Sequence, residues 1–153
     1  MAETAESRLK SLGIELHAIP APAANYVPTV RTGNLLFISG QVSGNPSAKF
    51  TGKLGQTMNV EQGQQAARVC AVNLLSNLKA ALGDLDKVKR IVKLTGFVNC
   101  TGDFEDAHKV MNGCSDLLTD VFGDRGKHAR SAVGMASLPL GYAVEVEAIV
   151  EVV

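Results

Sequence analysis

The last eleven residues alternate apolar and charged side chains with a period of almost strictly two, in the order AVEVEAIVEVV. This period is typical of a β-strand, whose successive side chains point to opposite faces of a sheet. One face carries small apolar residues and is expected to lie under helices, whereas the other carries Glu145, Glu147, Ile149 and Glu151. The second face is too apolar for open solvent and too polar for a monomer core, so we expect another subunit to cover it.

A second apolar stretch, from about Ala129 to Ser137, precedes this strand and has Arg130 near its start. The short link LPLGY between the two stretches predicts that they pair as a hairpin. The guanidinium of Arg130 keeps its charge at every pH, so its position at the start of a strand has two interpretations. Arg130 either forms a surface charge or a structural ion pair, or it binds a ligand carboxylate through its bidentate fork.

A long amphipathic helix is predicted in the middle of the chain, followed by a strand. Asn59 and Gln62 form a capping pair at the start of this helix, and Gly83 is expected to end it. Residues 87–99 then alternate with a period of two, which predicts a strand with a bulge at Gly96.

A second amphipathic helix follows this strand. Asp103 is expected to cap it and Gly123 to end it. The order of the elements predicts an α+β fold, in which two helices pack on one face of a mostly antiparallel sheet.

The N-terminal part of the chain predicts less regular structure. A short helix is expected to stop at Gly13 and to act as a lid or tether outside the core. Three prolines between residues 18 and 28 predict an extended edge segment. Residues 34–40 predict a buried strand, and residues 41–55, which are rich in Gly, Ser and Asn, predict a loop.

The charge and composition of the chain limit the kinds of molecule that it is expected to bind. Fifteen Lys and Arg residues balance fifteen Asp and Glu residues, which does not favour nucleic acid as a partner. The three cysteines match no zinc-binding spacing, so we expect a reducing compartment and no metal. No stretch is long and apolar enough to predict a membrane span or a secretion signal, so a cytoplasmic location is expected.

Two motifs carry a resemblance to a known family. The order HARSAVG, LP and VEVEAI near the C-terminus resembles the signature of the RidA/YjgF family of reactive-intermediate deaminases, and FISGQ at residues 37–41 resembles its serine motif. The resemblance implies a chorismate-mutase-like fold assembled as a homotrimer, with clefts between subunits. It divides the chain into an N-terminal extension, residues 1–23, and a single RidA-like domain, residues 24–153.

The resemblance also implies a reaction and a site. Members of the family hydrolyse 2-imino or 2-enamino acids to 2-keto acids and ammonia without a metal or cofactor. Arg130 matches the arginine that grips the substrate carboxylate, and Glu145 matches the glutamate that holds the attacking water. Ser39 and Tyr26 match a serine and a tyrosine that line the substrate site.

Two positions depart from the family pattern. Ala132 occupies a position that is commonly cysteine or threonine in the deaminases, and His108 is aligned with a family asparagine. We include Ala132 and His108 among the expected substrate-binding residues, although each changes a polar contact that the family pattern implies. The sequence therefore leaves an alternative open, in which the protein is a regulatory trimer that binds small carboxylates without turnover; ribonuclease activity is less favoured because the net charge is zero.

Overall fold

The computed structural model describes residues 2–153. Its helices are α1 (Ala5–Ser11), α2 (Val60–Leu82) and α3 (Ala107–Phe122), and short 3-10 turns lie at Leu85–Lys87, Gly123–Gly126 and Pro139–Gly141. Its strands are β1 (Thr29–Thr32), β2 (Leu35–Val42), β3 (Gly44–Asn45), β4 (Ala48–Lys49), β5 (Val88–Asn99), β6 (Ala129–Met135) and β7 (Val144–Val152). The α+β class predicted from the sequence is confirmed.

The main sheet has five strands in the order β1-β2-β7-β5-β6, within the described residues. Strands β1, β2, β7 and β5 pair antiparallel, but β5 and β6 pair parallel, so the sheet is mixed. The predicted hairpin between β6 and β7 is therefore wrong. Helix α3 connects β5 to β6 as a crossover, which places β6 beside β5, while β7 takes the other side of β5.

The alternation in β7 predicts its two faces correctly. Its even-numbered residues are buried, and the face with Glu145, Glu147 and Ile149 is more exposed. This open face of the sheet also presents large apolar side chains, since Phe37 is 41% exposed and Val133 is 43% exposed.

Helix α2 has the ends that the sequence predicts. Asn59 and Gln62 exchange side-chain-to-backbone hydrogen bonds as a capping box, and Gly83 ends the helix with a φ of 76°. Helix α3 begins later than predicted, because Asp106 rather than Asp103 is its N-cap residue. Within residues 2–153, no helix has both the length and the apolar character needed to cross a membrane.

Helix α1 belongs to the core. Ala5 and Leu9 are four residues apart, share one face of the helix and are almost completely buried. The Arg8 guanidinium donates to the backbone carbonyl of Val121 in α3. The expectation of a lid outside the core is therefore wrong for this helix.

Two further predictions need correction. The bulges of β5 lie near its start, between Val88 and Arg90 and between Ile91 and Lys93, and not at Gly96. Gly96 instead leaves room for Met111 of α3, because a Cβ at that position would collide with the Met111 thioether. The loop expected over residues 41–55 contains the end of β2 and the small β3–β4 hairpin.

Candidate functional site

Arg130 is the second residue of the edge strand β6, and its side chain points to the helix-covered face. It pairs with the buried Leu94 of β5 in the parallel ladder. Its Nη1 donates to Asn112 Oδ1 at 2.9 Å and to Ser115 Oγ at 3.2 Å, and its Nη2 donates to the His108 carbonyl at 3.0 Å. Three acceptors on helix α3 therefore hold one guanidinium.

These hydrogen bonds leave two N–H donors of the guanidinium for a ligand. An arginine has five N–H donors, and the three bonds to α3 use both donors of Nη1 and one donor of Nη2. Within residues 2–153, Nε–H and the second N–H of Nη2 make no hydrogen bond to protein. Nε and Nη2 share an edge of the planar group, and that edge matches a carboxylate in a bidentate manner.

The sequence does not single out Asn112, whose amide oxygen accepts directly from Arg130. His108, which was expected to bind substrate, contributes its backbone carbonyl to Arg130. The helical spacing of His108, Asn112 and Ser115 is i, i+4 and i+7, so the three residues form a polar stripe beside the apolar face of α3. This stripe is the signal that could have identified Asn112.

Ala132 lies two residues after Arg130 on the same side of β6 and pairs with Gly96. It is partly buried and packs against the hydrophobic core. The structure thus places an apolar methyl group at the position where a polar side chain is common in the deaminases.

Glu145, Ser39 and Tyr26 lie in a different part of the molecule. Glu145 lies in β7 opposite Val42 of β2, and its carboxylate packs so closely against Gly40 that a Cβ there would collide with it. The adjacent Ser39 donates from Oγ to the Val27 carbonyl at 2.8 Å, which ties the proline-rich segment to the end of β2.

A cleft of about 460 Å³ opens beside Ser39 and Tyr26. Tyr26 and Ser39 contribute to its wall, Asn73 of α2 also lines it, and the proline-rich segment closes one side. Tyr26 is 59% exposed. The cleft therefore has room for a small ligand but has no arginine among its lining residues.

The carboxylate of Glu145 is half-buried. Burial raises its pKa above the usual value, and the nearby carboxylate of Glu147 raises it further. A glutamate with a raised pKa is better suited to accept a proton near neutral pH than an ordinary surface glutamate.

One chain does not bring Arg130 and Glu145 together. Leu94 pairs with both Arg130 and Ala148, and Glu145 is three residues from Ala148 along β7. The Cα atoms of Arg130 and Glu145 are two strand spacings apart across the sheet and three residues apart along it. Together these offsets separate the two Cα atoms by roughly 14 Å. The two side chains also point to opposite faces of the sheet, since Arg130 contacts α3 and Glu145 lies on the open face.

Comparison with known proteins identifies the family. The sequence profile described as "YjgF/chorismate_mutase-like, putative endoribonuclease" matches residues 6–152. The chain belongs to the RidA/YjgF family. Protein TCP17 of Trypanosoma cruzi is 52% identical over 147 residues, which cover 95% of this chain and 92% of TCP17.

Solved structures of other proteins share the fold. Atu1372 from Agrobacterium tumefaciens, described as a protein of unknown function, is 49% identical and has a TM-score of 0.90, with 98% of this chain and 94% of that chain covered. TdcF from E. coli, solved with bound serine, is 27% identical and has a TM-score of 0.59, with 90% of this chain and 96% of that chain covered.

Proposed function

We propose that the protein is a homotrimeric deaminase that hydrolyses 2-imino or 2-enamino acids to 2-keto acids and ammonia. The observation that carries this proposal is the free edge of the Arg130 guanidinium. Helix α3 holds the other donors of the group, so the edge that remains is already oriented for the α-carboxylate of such a substrate.

The active site is shared between two subunits in this proposal. Arg130 lies on one edge of the sheet, whereas Ser39 and Tyr26 lie at its other side and Glu145 lies on the open face. A neighbouring chain packed against that face would cover the exposed Phe37 and Val133. Because Arg130 lies on the edge strand β6 and faces α3, this neighbour would also have to extend past the β6 edge to bring its own Glu145 and Ser39 to the Arg130 of the first chain.

The reaction needs few polar groups. An imine reacts with water readily, so a site that fixes the carboxylate and directs one water molecule gains rate mainly through positioning. Glu145 accepts the proton of the attacking water, and water adds to the imine carbon. The nitrogen then takes up the proton held by Glu145, which completes the carbinolamine. Its C–N bond breaks as the hydroxyl proton passes through Glu145 to the leaving nitrogen, so ammonia and the 2-keto acid are released.

The relationship to TdcF supports the ligand class. TdcF was solved with bound serine. Serine has an α-carboxylate, which is the kind of group that Arg130 is proposed to bind in this protein. The zero net charge does not favour the phosphate backbone of RNA, although the family description includes endoribonuclease.

One observation favours a second function. Ala132 leaves the site next to Arg130 without the polar side chain that is common in the deaminases, and it packs into the core. A trimer that binds small carboxylates without turnover would need Arg130 but no further polar group at that position.

Keto-acid release from freshly generated 2-aminoacrylate tests the deaminase proposal. We expect the wild type to accelerate the release and Arg130→Ala to abolish the acceleration, with Arg130→Lys also poor because an ammonium group cannot reproduce the planar fork. Pyruvate binding, measured by calorimetry, separates the two functions. Binding without acceleration in the wild type would establish the carboxylate-binding trimer instead, and equal pyruvate affinity in Arg130→Ala would refute the receptor role.

A further inference from the structure

A chain of hydrogen bonds continues from Arg130 through Ser115 to His128. The Arg130 Nη1 donates to Ser115 Oγ at 3.2 Å, and Ser115 Oγ lies 2.9 Å from His128 Nε2. The other ring nitrogen, His128 Nδ1, lies 2.6 Å from the backbone carbonyl of Gly126. His128 directly precedes β6, and its contact with Ser115 shows that its ring, like the Arg130 side chain, faces α3.

The chemistry of these groups assigns a donor and an acceptor to each of these hydrogen bonds. A carbonyl oxygen only accepts, so His128 Nδ1 must carry a hydrogen and donate it to Gly126. In a neutral imidazole Nε2 is then an acceptor, and the Ser115 hydroxyl donates to it. The Ser115 oxygen in turn keeps its lone pairs for the Nη1–H of Arg130.

The surroundings favour this neutral form of His128. Burial lowers the pKa of the ring below its usual value, and the charge of Arg130 lowers it further, although the hydrogen bond to Gly126 acts in the opposite direction. The hydrogen bond to Gly126 therefore fixes the Nδ1–H tautomer, while burial and the charge of Arg130 favour the neutral ring.

We propose that Ser115 and His128 are positioning residues, which align the Arg130 guanidinium for the substrate carboxylate. Nε2 of neutral His128 accepts the hydrogen bond of the Ser115 hydroxyl, and this leaves the Ser115 oxygen as an acceptor for Nη1. With Nη1 held by Ser115 and Asn112, Nε–H and the second N–H of Nη2 are the donors left for a ligand. The value of this alignment for catalysis rests on the function proposed above.

Loss of the alignment has a physical cost. If Ser115 has no acceptor for its proton, the hydroxyl is free to rotate, and its hydrogen then competes with Nη1–H for the same space. The guanidinium is then held by two acceptors instead of three, and more of its orientations present a single N–H to a carboxylate. Two N–H donors in parallel are what make the arginine–carboxylate pair strong.

Paired substitutions separate positioning from mere packing. Ser115→Ala removes the hydroxyl and Ser115→Thr retains it, whereas His128→Phe removes the acceptor and His128→Gln offers a carbonyl oxygen near the position of Nε2. Thr119→Ala is the matched control, because Thr119 is one turn further along α3 and its hydroxyl donates to the Ser115 backbone carbonyl. The measurements are the Kd for pyruvate, the ¹⁵N and ¹H shifts of Arg130 Nε–H, and the tautomer of His128 by ¹⁵N NMR.

We expect Ser115→Ala and His128→Phe to weaken pyruvate binding by on the order of 10-fold, as loss of one hydrogen bond to a charged group predicts. Ser115→Thr, His128→Gln and Thr119→Ala should stay close to the wild type. The Arg130 Nε–H signal should shift in the two disruptive variants, and wild-type His128 should be the Nδ1–H tautomer.

The NMR measurements need no ligand, so they test the positioning role separately from the proposed function. If the wild type does not bind pyruvate but the Arg130 signal shifts as described, the carboxylate function fails and the alignment by Ser115 and His128 stands. An unchanged Arg130 signal in both disruptive variants, or an Nε2–H tautomer of His128, would overturn the proposal whatever the affinity for pyruvate.

Discussion

The two halves of the candidate site are built in different ways. On the α3 side, Arg130 has three acceptors from its own chain, and two of these are side chains. On the β2–β7 side, Glu145 lies on an open sheet face and packs against Gly40, and the cleft that Gly40 lines is bounded by the exposed Tyr26. The contacts that hold Arg130 are complete within one chain, whereas the sheet face that carries Glu145 remains open. Under the proposed function, this difference predicts that affinity for the carboxylate is set within one chain, whereas turnover depends on assembly.

Hybrid trimers provide the test with the largest expected effect. In a trimer mixed from equal amounts of Arg130→Ala and Glu145→Gln chains, about one quarter of shared sites would receive both intact residues from different chains. We therefore expect two inactive parents to regain roughly a quarter of the wild-type rate of keto-acid release. Native mass spectrometry would verify the exchange of subunits. Hybrids that stay as inactive as their parents after complete exchange would show that the two residues do not meet across an interface.

A substitution at Gly40 perturbs only the β2–β7 half. An added Cβ would collide with the Glu145 carboxylate, so Gly40→Ala should displace this carboxylate and lower kcat by about 10-fold or more, since a misplaced group loses the benefit of positioning. The Kd for pyruvate should change little, because Arg130 lies elsewhere. Gly102→Ala is the control, since a Cβ at Gly102 would have no heavy atom within 4 Å. A loss of pyruvate affinity equal to the loss of kcat would mean that the two halves are not independent.

The smallest expected effect is a pH dependence of stability on the α3 side. The folded-state pKa of His128 is lowered, so the unfolded chain binds more protons as the pH falls through the usual histidine range. The contribution of the neutral ring to stability is present above about pH 6.5 and is lost progressively as the pH falls through the lowered folded-state pKa. Thermal unfolding between pH 7.5 and 5 should therefore show a steeper loss of Tm in the wild type than in His128→Gln, and parallel curves would contradict this assignment.

The sequence predicts the parts of the fold that depend on local patterns. The alternation of β7 assigns its faces correctly, and the capping pair of Asn59 and Gln62 marks the start of α2. The pairing of β6 could not be predicted in the same way. The LPLGY link contains turn residues, but it crosses from one side of β5 to the other, with Leu140 at a φ of 56° and Gly141 at 73°. A turn signal shows where a chain bends and does not show which strand it meets next.

The sequence indicates only those parts of the candidate site that depend on local patterns. The motif around Arg130 and the glutamate pattern of β7 are visible along the chain. The contact between Arg130 and Asn112 joins residues that are 18 positions apart through the packing of α3 on β6, and no local pattern encodes it. The roles of the candidate residues in substrate binding or catalysis remain predictions, and these residues are Arg130, Tyr26, Ser39, Glu145, Ala132 and His108.

The central position of β7 has a consequence for how the chain acquires its structure. β7 is the last strand along the chain, yet it lies between β2 and β5 and joins the two sides of the sheet. Until its residues are available, β1 and β2 form an isolated ribbon and β5 and β6 form a separate pair, each with an unpaired edge. Completion of the sheet therefore requires contacts between distant parts of the chain, such as those between β2 and β7, and we expect these contacts to slow folding.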